Sequence, residues 1–318
     1  MIGQKKMWKY VKFMHIYLCV VLGMLILPQS VWAKNKADNQ FLIFKRLADG
    51  QYTISVSINE SEPLIFMVDT GASRTSRKLN IPKSNLTYKT VRGMTRAQKR
   101  PTINLTQLEF ASQSYENRTV VVLEDWEYQE GKLDGILGMD VLSGLILSFT
   151  HDQKKPRSGS LQILTRHKLK ALKYRDWTVV KLEKNPYPNA EYGLLFIDTY
   201  FGNLRIPTLF DTGSSFSAIS WNIVEGTKLG EDKKRLRKEW IIQGAVGEFK
   251  PRIRIKIDGI KIGGIRLDQY DLLVMDFDAL PLNHQGKFPL VIVGVDYING
   301  QDFILDLKTK RLLLNRHI

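Results

Sequence analysis

The chain has 318 residues, 43% of them apolar, and a formal charge of +15. Its length exceeds one average domain, and its apolar share suffices for two modest cores or one large one, which excludes a disordered polypeptide. A single cysteine, Cys19, excludes a disulfide scaffold.

Residues 1–33 read as a secretory leader: Lys5, Lys6, Lys9 and Lys12 precede the apolar run from Ile16 to Leu27, and Val31-Trp32-Ala33 offers a small residue for cleavage. The run of 12 residues falls short of the roughly 20 that cross a bilayer, so a permanent anchor is the weaker reading. A mature chain from Lys34 loses Cys19 and four lysines and keeps a charge of +11. Folding without disulfides mildly favours a bacterial periplasm or exterior. The basic residues gather at 154–157, 166–175 and 233–238, which suits an anionic envelope surface as well as it suits a solvated positive face. No zinc-finger spacing or aromatic-interleaved basic strand marks a nucleic-acid reader.

From Tyr52 to Ile58 apolar and polar residues alternate strictly, predicting a strand with one buried face. An apolar strand then runs into Asp69-Thr70-Gly71-Ala72-Ser73, and further on comes Gly135-Ile136-Leu137-Gly138-Met139-Asp140-Val141-Leu142-Ser143-Gly144. Past a basic linker at 166–175 the pattern returns as Asp211-Thr212-Gly213-Ser214-Ser215 and Val291-Ile292-Val293-Gly294-Val295-Asp296-Tyr297-Ile298-Asn299-Gly300. The separations are similar, 69 residues from Asp69 to Gly138 and 83 from Asp211 to Gly294. An internal repeat of this kind divides the mature chain into lobes at 34–168 and 169–318, packed about a pseudo-twofold axis within a monomer. The clearest helical signal is 231–240. Alternation through Ile253, Ile255 and Ile257, reversing at Asp258-Gly259 and resuming at Ile260 and Ile262, predicts a hairpin. The fold class expected is an antiparallel all-β architecture with short helices.

The duplicated Asp-Thr-Gly-Ala/Ser-Ser with its downstream apolar-apolar-Gly resembles the aspartic peptidases of the pepsin and retroviral type, over nearly the whole mature chain. The resemblance implies a two-lobed fold of barrel-like domains and an endopeptidase whose catalytic residues are Asp69 and Asp211. One carboxylate deprotonates water while a neutral carboxyl polarises the scissile carbonyl, a division of labour that needs two acids. Two adjacent carboxyls hold one proton between them; the aspartic-protease dyad is the standard illustration of that behaviour. Thr70, Thr212, Gly71, Gly213, Ser73, Ser214, Gly138 and Gly294 are then supports, and Asp140 and Asp296 sit at helix starts, where an N-cap role outranks a catalytic one. The family's flap hairpins would place Gly93 and Met94 over one side of the cleft and Gly244 and Ala245 over the other, without the flap tyrosine of pepsins. Arg74, Arg92 and Arg96 could line the cleft and favour anionic substrates, although a surface position is the commoner fate of an arginine.

The resemblance implies no cofactor and no metal, and the histidines His151, His167, His284 and His317 lack ligand spacing. The partner expected is a peptide or protein substrate. Ala72 follows one catalytic glycine and Ser214 the other; a hydroxyl bonded to a carboxylate favours its charged form, so this asymmetry predicts an acidic to mildly acidic optimum. Only residues 34–41 precede strand-like sequence, which leaves little room for a pepsin-type pro-segment, so removal of a large one is not expected. The competing reading is a non-catalytic peptide- or envelope-binding protein on the same scaffold.

Overall fold

The apolar runs around the two Asp-Thr-Gly turns are too short and too β-branched for helices, and each is buried between neighbours on both sides. In the first half Tyr52–Ile58 pairs antiparallel with Leu64–Val68 (Thr53 opposite Met67), which runs parallel to Gly135–Leu137 (Met67 opposite Ile136). Gly135–Leu137 pairs antiparallel with Ser76–Lys78, and that strand runs parallel to Gln113–Leu123. The second half repeats the order: Leu195–Phe201 with Leu204–Phe210, then Val291–Val293 parallel to it, Ala218–Ser220 antiparallel, and Tyr270–Met275 parallel. The architecture is all-β and two-lobed, mainly antiparallel, with two parallel pairings per half where the chain threads behind each turn. This computed structural model describes residues 41–79, 86–92, 97–124, 133–172, 174, 176–184, 193–225, 234–235, 242–243, 248–249, 253–277, 290–298 and 300–315. Residues 1–33, for which a secretory leader is expected, lie outside them, and Phe41–Ile318 form one compact unit.

The halves are joined by strands rather than by a linker alone. Six strands lie in the order Phe41–Arg46, Ser158–Ile163, Ile146–His151, Phe303–Asp306, Arg311–Leu314 and Thr178–Lys184, antiparallel throughout. The central pairing sets Phe149 opposite Phe303, whose rings stack 4.4 Å apart at 8°. Such a pair adds about 1 kcal/mol beyond the area it buries. Phe44 and Tyr52 join it at tilted angles, with ring centroids 5.6 and 5.0 Å from that of Phe149. Beside them Asp302 accepts the backbone N–H of His151 at 2.7 Å, and the Tyr52 hydroxyl lies 3.2 Å from His151 Nε2, so a chain of polar contacts also crosses between the halves.

The opposite face of this sheet is covered at its centre by the helix Arg166–Ala171, whose Leu169 packs on Ile146, Ile304 and Leu313. The boundary read at 168 and 169 falls inside that helix. Thr165 caps it, accepting the N–H of Lys168. Arg166 also reaches Asp306, which is fully buried and takes further bonds from Thr309 and Arg311. Burial alone would raise the Asp306 carboxyl, but the bonds from Thr309 and Arg311 outweigh it and hold it below the usual range.

Two sequence expectations are corrected. Ile253–Ile257 does not pair with Ile260–Ile262: its partner is Tyr270–Met275, and Ile260–Ile262 pairs with Ile265–Leu267 across Gly263 and Gly264. Alternation identifies strands but not their partners. The Gly-Gly pair, with φ of +58° and +86°, supplies the left-handed backbone that a two-residue hairpin turn demands. Of the helix expected at 231–240, Lys234–Arg235 instead form a short strand on Ile253 and Arg254, where an open strand edge offers hydrogen bonds; the remainder lies outside the described residues.

Candidate active site

Each Asp-Thr-Gly turn begins where a buried strand ends and the backbone needs new partners. The amide N–H groups of Gly71 and Ala72 donate to one Asp69 oxygen at 2.8 and 3.0 Å, and that of Gly213 donates to Asp211 at 2.8 Å. Each acid therefore organises its own turn, as Asp side chains do in tight turns.

The two turns are locked to each other crosswise. The Thr70 hydroxyl donates to the Phe210 carbonyl at 2.9 Å and accepts the N–H of Thr212 at 3.0 Å. The Thr212 hydroxyl donates to the Val68 carbonyl at 2.8 Å and accepts the N–H of Thr70 at 3.1 Å. All four bonds are buried and join residues at least 140 positions apart. This lock carries the Asp69 and Asp211 carboxyls into a shared hydrogen bond.

The glycines allow the approach. A Cβ on Gly71 would fall on the carboxyl of Asp211, and one on Gly213 on the carboxyl of Asp69, each closer than 3.0 Å. Asp69 is 9% exposed. Burial, followed by the neighbouring charge of Asp211, raises its carboxyl well above the ordinary range. Burial also raises Asp211, opposed by hydrogen bonds from Asp69 and from the Gly213, Ser214 and Gly71 amides. The pair titrates as a unit that keeps one proton where isolated carboxyls would have none.

Behind each turn stands a second pair of residues, again matched between the halves. Thr75, six residues beyond Asp69, donates its N–H and hydroxyl to Asp140 at 2.8 Å each, and its oxygen accepts the N–H of Gly138 at 3.1 Å. Ser217, six beyond Asp211, donates to Asp296 from both groups at 3.0 and 2.8 Å and accepts the N–H of Gly294 at 3.1 Å. Asp140 and Asp296 are thus not N-caps. The cap positions belong to Gly138 and Gly294, without side-chain bonds, and the acids two residues on, within the first turn, reach sideways to brace the loop after each catalytic turn. Any Cβ on Gly138 would strike the Arg74 and Ala72 backbone, and on Gly294 that of Ser214 and Phe216.

The halves are not identical. Tyr270 adds its hydroxyl to the second brace, 2.6 Å from Ser217 Oγ, and burial raises both Tyr270 and Asp296. The Ser214 hydroxyl donates to the Phe216 carbonyl at 2.7 Å and not to Asp211, so the asymmetry read from Ala72 and Ser214 does not reach the carboxyls through a hydroxyl. Apart from the partner acid itself, the groups that favour the charged forms are backbone amides. Ser73 is half-buried in the first turn, as is Ser215 in the second.

Gln51 was not singled out from sequence. It is 3% exposed and donates its amide to the Gly213 carbonyl at 3.3 Å across 162 positions, a contact to which no local pattern points. Thr75 and Ser217 did carry a signal, their equal offset from the two acids.

Each flap candidate lies between two strands that pair with each other. Thr87–Arg92 pairs with Ala97–Phe110 up to Arg92 opposite Ala97, and Ile242–Gln243 pairs with Glu248–Phe249 up to Gln243 opposite Glu248. Residues 93–96 and 244–247, with Gly93, Met94, Arg96, Gly244 and Ala245, and the Arg92 side chain, lie outside the described residues. Val91 packs in one apolar cluster with Met67 and Ala72, bringing the first hairpin's end beside the Asp69 turn. Arg74 is half-buried. Among the described residues no group of three or more His, Cys, Asp or Glu could hold a metal ion.

A β fold written twice, with an acid from each half meeting above crossed threonines, is the architecture of the two-lobed aspartic proteinases. The chain belongs to the family described as aspartyl protease, which it matches over residues 54–141 and 197–297, more than half of its length. Among solved structures it is similar to the aspartic proteinase from Irpex lacteus, with a TM-score of 0.52 and 15% identity over 86% of this chain and 96% of that one. No curated protein matches it in sequence.

Proposed function

We propose that the protein is an exported aspartic endopeptidase, acting as a monomer, in which Asp69 and Asp211 activate a water against a peptide carbonyl. The observation that supports this most is the hydrogen bond between two buried carboxyls from opposite halves, each seated on the other turn's glycine. The ionised member takes a proton from water as the oxygen adds to the carbonyl carbon. The protonated member donates to the carbonyl oxygen, giving a tetrahedral diol. The pair then gives its proton to the amide nitrogen, and as the C–N bond breaks a diol hydroxyl passes its proton back to the carboxylates and re-forms the carbonyl, so the pair again holds one proton. Thr70 and Thr212 lock the two turns to each other and so hold the carboxyls together beside the bound peptide.

The test is cleavage of a peptide library with and without a statine-type transition-state mimic, read across pH. Hydrolysis should peak at acidic to mildly acidic pH, where the pair carries one proton, and the mimic should suppress it. A profile peaking above neutrality would sink the reading. A wild type that binds the mimic yet cleaves nothing would leave the non-catalytic binding protein as the answer. Export rests on the leader at 1–33, and N-terminal sequencing of the protein from its native cells should begin at Lys34.

A further inference from the structure

The six-stranded sheet between the halves has two faces with different fates. One carries Phe44, Phe149 and Phe303 into the main core, which also holds Tyr52, and the neighbouring Gln51 reaches the Gly213 turn. The other faces away from the acids, and the helix Arg166–Ala171 covers only its centre. At the strand Phe41–Arg46, whose far side is paired only at Lys45 and Arg46 with Thr53 and Tyr52, no described residue covers that outer face: Phe41 is 56% and Ile43 64% exposed, while Phe44 between Ile43 and Lys45 is buried. Lys45 follows on the same side, exposed. The turn from 152 to 157 lies alongside, because the Arg46 N–H donates to the Arg157 carbonyl at 2.7 Å, and it exposes Lys154, Lys155 and Arg157.

Two large apolar side chains beside four exposed cations form the pattern of a surface that enters a lipid headgroup region. A second copy fits less well: the strand is already paired at Lys45 and Arg46 with Thr53 and Tyr52, and a twofold contact over this face would bring its four cations against their own copies. We propose that this edge docks on an anionic lipid surface, with Phe41 and Ile43 in the headgroup boundary and Lys45, Lys154, Lys155 and Arg157 on lipid phosphates. The sheet's other face enters the main core, on the side from which Gln51 reaches the Gly213 turn, so docking by the outer face leaves the acids away from the lipid. The proposal is independent of whether the acids hydrolyse peptides.

Amide hydrogen exchange of the full chain, with vesicles of phosphatidylglycerol and phosphatidylcholine or of phosphatidylcholine alone, tests it at residues 41–46 and 152–158. Both segments should gain protection with the anionic vesicles only and lose most of it at about 0.5 M salt. Replacing Lys154, Lys155 and Arg157 together by Ala should weaken the vesicle dependence on the order of a hundredfold, since each cation near such a surface is worth about 1 kcal/mol. Phe41→Ser with Ile43→Ser should weaken it about tenfold. All five side chains are exposed or lie at a strand edge, and a melting curve matching the wild type confirms that each variant is folded. Equal protection by both vesicle types, or variants that bind like the wild type, would overturn the proposal. So would protection that rises with protein concentration without lipid, which would instead show a second copy on this edge.

Discussion

Asp69→Asn and Asp211→Asn are each expected to lower the rate of peptide hydrolysis on the order of 10⁴-fold while leaving the fold intact, and the double variant should be little worse than either single one. The reason is the sharing of a proton. With one carboxyl replaced by an amide, the remaining acid can be base or acid but not both, and removing the second costs nothing more. Asn has nearly the shape of Asp and can still accept the Gly71, Ala72 or Gly213 amides, so the turn should persist.

The stability of these variants carries a sign that a merely damaged protein would not show. Both carboxyls are raised in the folded state, Asp69 the more, chiefly by burial. A group raised on folding stabilises the native state fully below its unfolded value, near 4 for Asp, and that contribution is lost as pH rises through the folded value. The wild type should therefore lose stability on going from acid to neutral pH, and the Asn variants should lose less. Thermal unfolding at about pH 4 and pH 7 checks this, with Asp69→Asn melting at or above the wild type at the higher pH. A variant that melts lower at neutral pH, or one that still cleaves, would remove the shared proton from the account.

What was legible in the sequence was whatever is written locally. Asp69 and Asp211 stand in short motifs, and duplication raised those motifs above chance; Gly138 and Gly294 were legible as the ends of matching apolar runs. Asp140 and Asp296 were found, yet their role was misread. Their partners Thr75 and Ser217 lie 65 and 79 positions away, and a first-turn acid looks like a cap until the loop beside it is placed. The same limit explains Gln51, whose contact is set by how the halves meet. The strand at 253–257 was correctly recognised because its alternation is a property of one segment. Its partner was not, because pairing belongs to the sheet, and the Gly263-Gly264 turn that decides it was passed over for Asp258-Gly259. Within the helix expected at 231–240, the available strand edge proved the stronger attraction for Lys234–Arg235.

Gly71→Ala and Gly213→Ala are expected to act on the opposite acid from the one they follow. The methyl of Gly71→Ala would overlap the Asp211 carboxyl, and that of Gly213→Ala the Asp69 carboxyl, both at separations real Cβ atoms do not show. Neither carboxyl can yield freely, because backbone amides and the shared bond hold both in place. Displacement by about 1 Å is enough to cost on the order of 100-fold in rate, and the overpacking should cost about 1–3 kcal/mol of stability. Pushing the carboxyls apart also weakens the field that raises Asp69, so the upper limb of the pH profile should move toward acid in both variants. That movement separates a disturbed pair from a simple loss of folded enzyme, which lowers the whole profile without shifting it. If both alanine variants cleave at the wild-type rate with an unshifted profile, the two carboxyls are not packed against each other's turns, and the coupling that distinguishes this pair from two isolated aspartates is absent.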